Sequence, residues 1–532
     1  MPKGYLLLLL HAHLPYVRHP EHEYFLEENW LYETLIETYI PLAGLLERLI
    51  DDGVDFRLSL SLSPTLLAMF DDPLLRERFM GYLDRTSELT EREISRTKND
   101  SRIRPLAEMY NENLNRIRRL YVERYGSDLS SAFLRLADTG NVELITTSAT
   151  HAYLPNLSVM PDAVRTQIAT ACRDYERRLL RPPRGMWLPE CGYYEGLDSM
   201  LKESGIEYFF LESHGLLHAS PAPKYGVFMP VRSASGAAVF ARDKASAMQV
   251  WSSKAGYPGD PDYREFYRDI GFDLPLKYIR PYIHPDGIRI PTGIKYHRIT
   301  GRGAGKRPYE RGKAVKKAKL HAEDFIRKKQ AEAGRLNESY GFSPVLTAPY
   351  DAELFGHWWF EGIDWLEFLL RGLDAQDEIK TITPSEYLAD NPALQTVSPS
   401  ASSWGKGGYG STWCSERNNW AIRHLHAASE RMKGLSLRFP EAKDPLLKKA
   451  LNQALRELLL MEASDWPFMI ERRTSPHYAE DRLIGHINNF NRLYGMLTGG
   501  AMDSGLVSEM ERKTRLFPFL DYRDYGRSFS KG

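Results

Sequence analysis

Val345-Leu-Thr-Ala-Pro-Tyr-Asp-Ala-Glu-Leu-Phe-Gly-His-Trp-Trp-Phe360 decides how the chain is read. Val345–Ala348 is a short apolar run of strand type, and polar chemistry follows it at once: Asp351, Glu353, His357, Trp358 and Trp359. Any one of these residues is most simply explained as loop or core. Together, a carboxylate just past a strand end and wide aromatic faces suit a polar ring-shaped substrate such as a sugar.

The same grammar recurs along the chain. Tyr5–Leu10 reads as a strand buried on both faces and runs into His11-Ala-His13-Leu-Pro15. Val142–Thr146 runs into Ser148-Ala-Thr-His151-Ala-Tyr-Leu-Pro155, and Gly185-Met-Trp187 runs into Leu-Pro189-Glu190-Cys191. With Phe56–Leu62, Tyr208–Leu211, Ala237–Ala241 and Lys380–Thr383, about eight short strands alternate with helical stretches, the pattern of a β/α fold with a parallel sheet. The C-terminal strand ends of such folds carry the active site. The spacing thus predicts that His11, His13, His151, Glu190 and Asp351 meet on one rim.

Asn29 to Ile50 reads as a helix with a kink at Pro41, and residues 73–137 as two or three outer helices. Residues 213–299, rich in Gly/Pro turns and aromatics, read as an insertion; Gly301–Lys319 is a basic surface loop opening a helix over Ala314–Arg335. Strand signals stop near residue 400. The expected division is a catalytic region over 1–400 and a helical C-terminal domain over 401–532, with helices at Trp420–Leu435, Asp444–Met461 and Tyr478–Leu497. That domain opens on an aromatic, glycine-rich loop containing Trp404 and Trp413, and it contains Ser464-Asp465-Trp466-Pro467 at a helix break; both read as substrate-facing surfaces or as interdomain contacts.

The 532 residues carry 70 basic and 70 acidic side chains, so nothing points to nucleic acid or an anionic membrane surface. Three scattered cysteines support neither a disulfide framework nor a cysteine zinc site. Leu6–Leu10 is too short for a signal segment and no run is long enough to span a bilayer, which places the chain in the cytoplasm. No glycine-rich loop matches a nucleotide fingerprint, and no cofactor is expected.

Two carboxylates on separate strand ends are what glycosidic cleavage needs, one holding a proton and one attacking or stabilising the anomeric carbon. Glu190 and Asp351 are best placed, with Glu353 in support. The competing chemistry is metal-assisted hydrolysis through His11, His13 and His151, although no close-spaced ligand pair supports it.

The blocks His11–Tyr16, Glu143–Pro155, Trp187–Tyr193, Tyr350–Gly362 and Ser402–Trp413 resemble, in order, the five motifs of glycoside hydrolase family 57, and within it those of 1,4-α-glucan branching enzymes. The resemblance covers nearly the whole chain. It implies an incomplete (β/α)7 TIM-like barrel with a small inserted domain and a C-terminal helical domain. It implies a retaining double displacement with Glu190 as nucleophile and Asp351 as acid/base, acting on an α-1,4-glucan donor and acceptor such as amylose or glycogen and forming α-1,6 linkages. His11, His13 and His151 would contact the sugar; Trp30, Trp251, Trp404, Trp413 and Asp465 would line the glucan groove. An α-amylase or 4-α-glucanotransferase on the same site is the alternative. A loop aromatic of the insertion is expected to limit water, with Tyr225 as one candidate.

Overall fold

The leucine run is the middle of the fold because it has nowhere to meet water: Leu6 to Leu10 are buried on both faces. The computed structural model describes residues 2–252, 256–301 and 305–526. In chain order its strands are β1 (Gly4–Ala12), β2 (Leu58–Leu62), β3 (Val142–Ile145), β4 (Gly185–Met186), β5 (Tyr208–Leu211), β6 (Val231–Arg232), β7 (Ala238–Ala241), β8 (Val345–Asp351) and β9 (Ile379–Thr381). One sheet runs β3-β2-β1-β8, with β9 beside the start of β1; the other runs β4-β5-β7-β6. Every pairing is parallel except that of β6 with β7.

Backbone hydrogen bonds link the two sheets at both ends. Trp187 N–H donates to the Thr146 carbonyl at 2.8 Å beside β3 and β4, and Asp243 N–H donates to the Thr347 carbonyl at 2.7 Å beside β7 and β8. The polar residues that follow β1, β3, β4, β7 and β8 therefore gather at one end. The stretch 213–299 is not wholly outside the sheet, since β7 lies within it and pairs along its length with β5.

Pro41 does not simply kink its helix. Helix Glu28–Thr34 continues through a wider π-helical turn, Leu35–Tyr39, into helix Ile40–Asp51. A proline nitrogen has no hydrogen to return to the preceding turn, and a wider turn accommodates that loss. The Glu37 carbonyl then lies against Gly356, where a Cβ would come within 1.8 Å of it.

Ser63 caps helix Pro64–Asp71 by accepting from the Leu66 N–H. Three outer helices, Pro73–Arg96, Arg104–Arg118 and Leu129–Asp138, cover the region between β2 and β3, and a long helix, Arg311–Tyr340, precedes β8. Beyond residue 420 come helices Trp420–Arg438, Pro445–Met461, Asp465–Arg472, Pro476–Gly499 and Ser504–Lys513. They are tied to the rim through Ser464, whose N–H donates to the His151 carbonyl at 3.0 Å. Among the described residues no helix is long and apolar enough to cross a membrane.

Candidate active site

Strand register starts the site. β1 lies between β2 and β8 so that His11 is opposite Ser61 on one side and Asp351 on the other. Alternate residues of a strand share a face. His11 and His13 accordingly stand with ring centroids 6.0 Å apart, and the His151 ring stacks at 3.8 Å on His13 and 5.0 Å from His11.

Glu190 is held in an unusual backbone state, φ 61° and ψ 21°, and its neighbour Cys191 and the distant His151 are also left-handed at φ 51° and 56°. Non-glycine residues cost of order 1–3 kcal/mol each in this region, so the surroundings must impose it. They do. Trp404 N–H donates to the Glu190 carbonyl at 2.8 Å, and the Trp404 indole Nε1–H donates to Glu190 Oε2 at 2.6 Å. Ser464 Oγ donates to Glu190 Oε1 at 3.0 Å. A serine spending its proton on that carboxylate must accept from His151 Nδ1, 2.8 Å away. His151 Nε2 then accepts from His11 Nε2–H at 2.9 Å, and His11 Nδ1 accepts from Ser61 Oγ at 3.1 Å. Both imidazoles are neutral, their pKa values driven well below the usual histidine value by burial and then by neighbouring histidines. Four hydrogen bonds thus point one way, from Ser61 to Glu190.

Asp351 has a different environment. Burial, and then repulsion from Glu353 and Glu190, hold its carboxyl well above the usual range, with the Arg242 charge pulling back and, among the described residues, no hydrogen bond favouring ionisation. Burial also pushes Glu190 up, to about 7, against the bonds from Trp404 and Ser464 that favour its charged form. Donors to a carboxylate lower its pKa and a nearby carboxylate raises it. Glu190 is the member of the pair built to ionise, and Asp351 the member built to keep its proton. Glu353 faces inward, accepting from Tyr39 OH and, at 3.1 Å, from the His13 N–H. It positions β1 against the loop after β8.

These groups line one cleft of about 570 Å³. Trp251, Trp404, Trp413 and Trp358 form its aromatic walls, and Asp465 enters from the C-terminal helices to accept from His13 Nε2 at 3.1 Å. Trp30 is elsewhere: it meets Tyr478 edge-on at 5.6 Å and does not line the cleft. Trp359 is buried against Tyr263 and Trp365, so of the paired tryptophans only Trp358 is wall. Tyr225 packs on Tyr340 and Phe342 just before β8 begins, a strand's length from Asp351.

The metal reading finds no donor set. All six ring nitrogens of His11, His13 and His151 already have protein partners, His13 Nδ1 meeting Ser63 Oγ at 2.9 Å. Among the described residues no group of three or more His, Cys, Asp or Glu is arranged to hold a metal ion.

One contributor was not foreseen: Arg242 follows β7 directly, obeying the same strand-end rule as Glu190 and Asp351. Ser464 belongs to the helix-break stretch Ser464–Pro467 that the sequence points toward the substrate, but its bond to Glu190 is not readable there.

Known proteins of the same build exist. The model for glycosyl hydrolase family 57 matches residues 7–398, and that for the C-terminal region of 1,4-alpha-glucan branching enzymes matches residues 424–525. A 1,4-alpha-glucan branching enzyme of Thermococcus kodakarensis is 34% identical over 551 residues, spanning 97% of this chain and 77% of that protein. Among solved structures, the alpha-amylase AmyC of Thermotoga maritima is 42% identical with a TM-score of 0.93 over 99% of both chains. A family 57 branching enzyme of Pyrococcus horikoshii is 33% identical with a TM-score of 0.88 over 100% of this chain and 97% of its own.

Proposed function

The chain belongs to glycosyl hydrolase family 57, and from that membership we propose that it is a 1,4-α-glucan branching enzyme acting by a retaining double displacement. The observation that carries the mechanism is the asymmetry of the two carboxyls in the tryptophan-walled cleft. Glu190, steadied by Trp404 and Ser464, attacks the anomeric carbon of an α-1,4-glucan while Asp351 gives its proton to the leaving oxygen. Asp351, now a carboxylate, takes the proton from the 6-hydroxyl of a second chain as that oxygen displaces Glu190. Neutral His11 and His151 face the glucosyl unit without placing a positive charge beside the oxocarbenium-like centre.

The seven parallel strands other than β9, with sheet-to-sheet hydrogen bonds at both ends, support an incomplete (β/α)7 barrel as the frame, with 401–532 as the helical C-terminal domain. The match of residues 424–525 to the branching-enzyme C-terminal model favours transfer. The 42% identity to an alpha-amylase favours hydrolysis on the same site as the second reading. Incubation with amylose, then debranching and chain-length analysis, separates them. New α-1,6 linkages are expected; rising reducing ends without such linkages would replace branching by hydrolysis.

A further inference from the structure

Helix Arg104–Arg118 carries Tyr110, Asn113, Leu114 and Ile117 at i, i+3, i+4 and i+7, on one face. Tyr110, Leu114 and Ile117 are the buried stripe of that face, and Asn113 interrupts it with an amide. The face does not close on its neighbours. Between it, helix Pro73–Arg96 and the π-helical turn Leu35–Tyr39 lies a cavity of about 250 Å³. Among the described residues it shares no lining side chain with the catalytic cleft.

The inner end of this cavity holds polar groups that the protein does not satisfy. Tyr82 is only 8% exposed and lines the cavity, yet its hydroxyl has no hydrogen-bond partner among the described residues. Burial and the facing charges of Glu33 and Glu37 hold its proton on. Glu33 also lines the cavity and has neither a hydrogen bond nor an ion pair among the described residues. Burial pushes its carboxyl up to about 7, against the pull of His357. Glu37 beside it is already taken, accepting from Arg264 at 2.9 Å and meeting His357 Nδ1 at 2.8 Å. The Asn113 amide is likewise without a partner among the described residues.

The outer end is cationic. Arg48 is paired with Glu367 at 2.6 Å and Arg311 with Asp364 at 2.6 Å. Arg116, exposed at the same end, has no ion pair among the described residues. Desolvation against the cavity wall, and then the Arg48 charge, lower its pKa below the ordinary arginine value, and a bound anion would offset both. Between the two ends the walls are apolar, made by Ile36, Leu114, Ile117 and Phe360.

Each part of this lining selects a piece of ligand. An unpaired guanidinium receives a phosphate or carboxylate. A phenol, a protonated carboxyl and an amide exchange hydrogen bonds with hydroxyl groups. Apolar walls cover the C–H faces of a ring. The volume suits one ring and excludes a glucan chain or a nucleotide, whereas an inorganic anion would leave Glu33 and Tyr82 unsatisfied. We propose that the cavity binds a single sugar ring carrying one anionic group, a phosphate ester or a carboxylate, with the anion on Arg116 and ring hydroxyls on Glu33, Tyr82 and Asn113. The site is separate from the catalytic cleft, and its assignment does not depend on the glucan-transfer reading.

The test is calorimetric titration of the full chain with glucose 6-phosphate and, separately, with glucuronate. At least one is expected to bind saturably at one site per chain, and which of them binds tells whether the head group is phosphate or carboxylate. Glucose and inorganic phosphate, each supplying half of the contacts, are expected to bind at least about tenfold more weakly. Arg116→Ala is expected to weaken binding roughly tenfold and Tyr82→Phe, which removes only the hydroxyl, about threefold or more. Saturating maltohexaose, a chain for the catalytic cleft, is expected to leave the affinity unchanged. No saturation by either sugar up to about 10 mM, an affinity unchanged in either variant, or displacement by maltohexaose overturns the site.

Discussion

Removing the Ser464 hydroxyl should move the acid limb of the pH–rate profile upward. Ser464 Oγ donates to Glu190 Oε1 at 3.0 Å, and that bond is made only by the ionised carboxylate's lone pairs without competition from a proton. A hydrogen bond to a charged group contributes about 1.5–3 kcal/mol, and about 1.4 kcal/mol corresponds to one pKa unit. Ser464→Ala should therefore raise the Glu190 pKa from about 7 by about 1–2 units. The kcat/KM profile on a soluble maltooligosaccharide reads the free enzyme's acid and base. Its acid limb should rise by that amount, while the basic limb, set by Asp351, holds. At pH 7 the ionised fraction would fall from about a half to a few per cent, so kcat/KM should drop on the order of 5–50-fold and recover in part as pH rises. Ser464→Thr, which keeps the hydroxyl, should restore the limb. An activity loss equal at every pH, with the limb within about 0.3 units of its original place, would refute the reasoning and leave Ser464 as packing.

Glu190→Gln and Asp351→Asn should each lower turnover about a thousandfold or more while circular dichroism and thermal unfolding stay near those of the unsubstituted chain; near-normal turnover in either would reverse the role assignment. Buried Glu462 accepts from Gln167 Nε2 at 2.8 Å, and burial raises its pKa to about 8. Because the folded pKa exceeds the unfolded value near 4.5, the folded state binds the extra proton between them, and its stabilising effect is complete below about 4.5 and lost as pH rises through about 8. Denaturant unfolding should therefore find Glu462→Gln gaining on the unsubstituted chain by up to about 4 kcal/mol between pH 4.5 and 8.5, and a pH-independent difference would contradict this. Gly356 has φ 106° with the Glu37 carbonyl 1.8 Å from any Cβ, so Gly356→Ala should cost at least about 3 kcal/mol in thermal unfolding and misplace His357, which meets Glu37 Oε2 at 2.8 Å; an unshifted melting temperature would count against it.

The frame was legible because strand ends are local facts. A leucine run buried on both faces, then His-Ala-His and a proline, can be recognised without knowing any neighbour, and the same grammar located Glu190 and Asp351 before a contact was known. Side-chain direction at a bend is not local. Trp358 and Trp359 are adjacent, yet one faces the cleft and the other the core, and the difference is set by the turn at Gly356 against the Glu37 carbonyl. The same limit hid the π-helical turn ahead of Pro41. Arg242 was missed for another reason: Ala237–Ala241 reads as a strand, but it lies inside a glycine- and proline-rich stretch read as an insertion, so the strand-end rule was not carried to the residue after it.

Ser464 marks the deeper boundary. It reaches Glu190 across 274 residues, from a break between C-terminal helices into a left-handed turn after β4. A carboxylate held in a backbone state that costs energy needs donors from outside its own loop, and here one comes from Trp404 and one from Ser464. The C-terminal region is thus part of the ionisation of Glu190 as well as a cover for the groove. That is why its helices meet the rim at His151 and Ser464, where the chain of hydrogen bonds from Ser61 ends on the carboxylate.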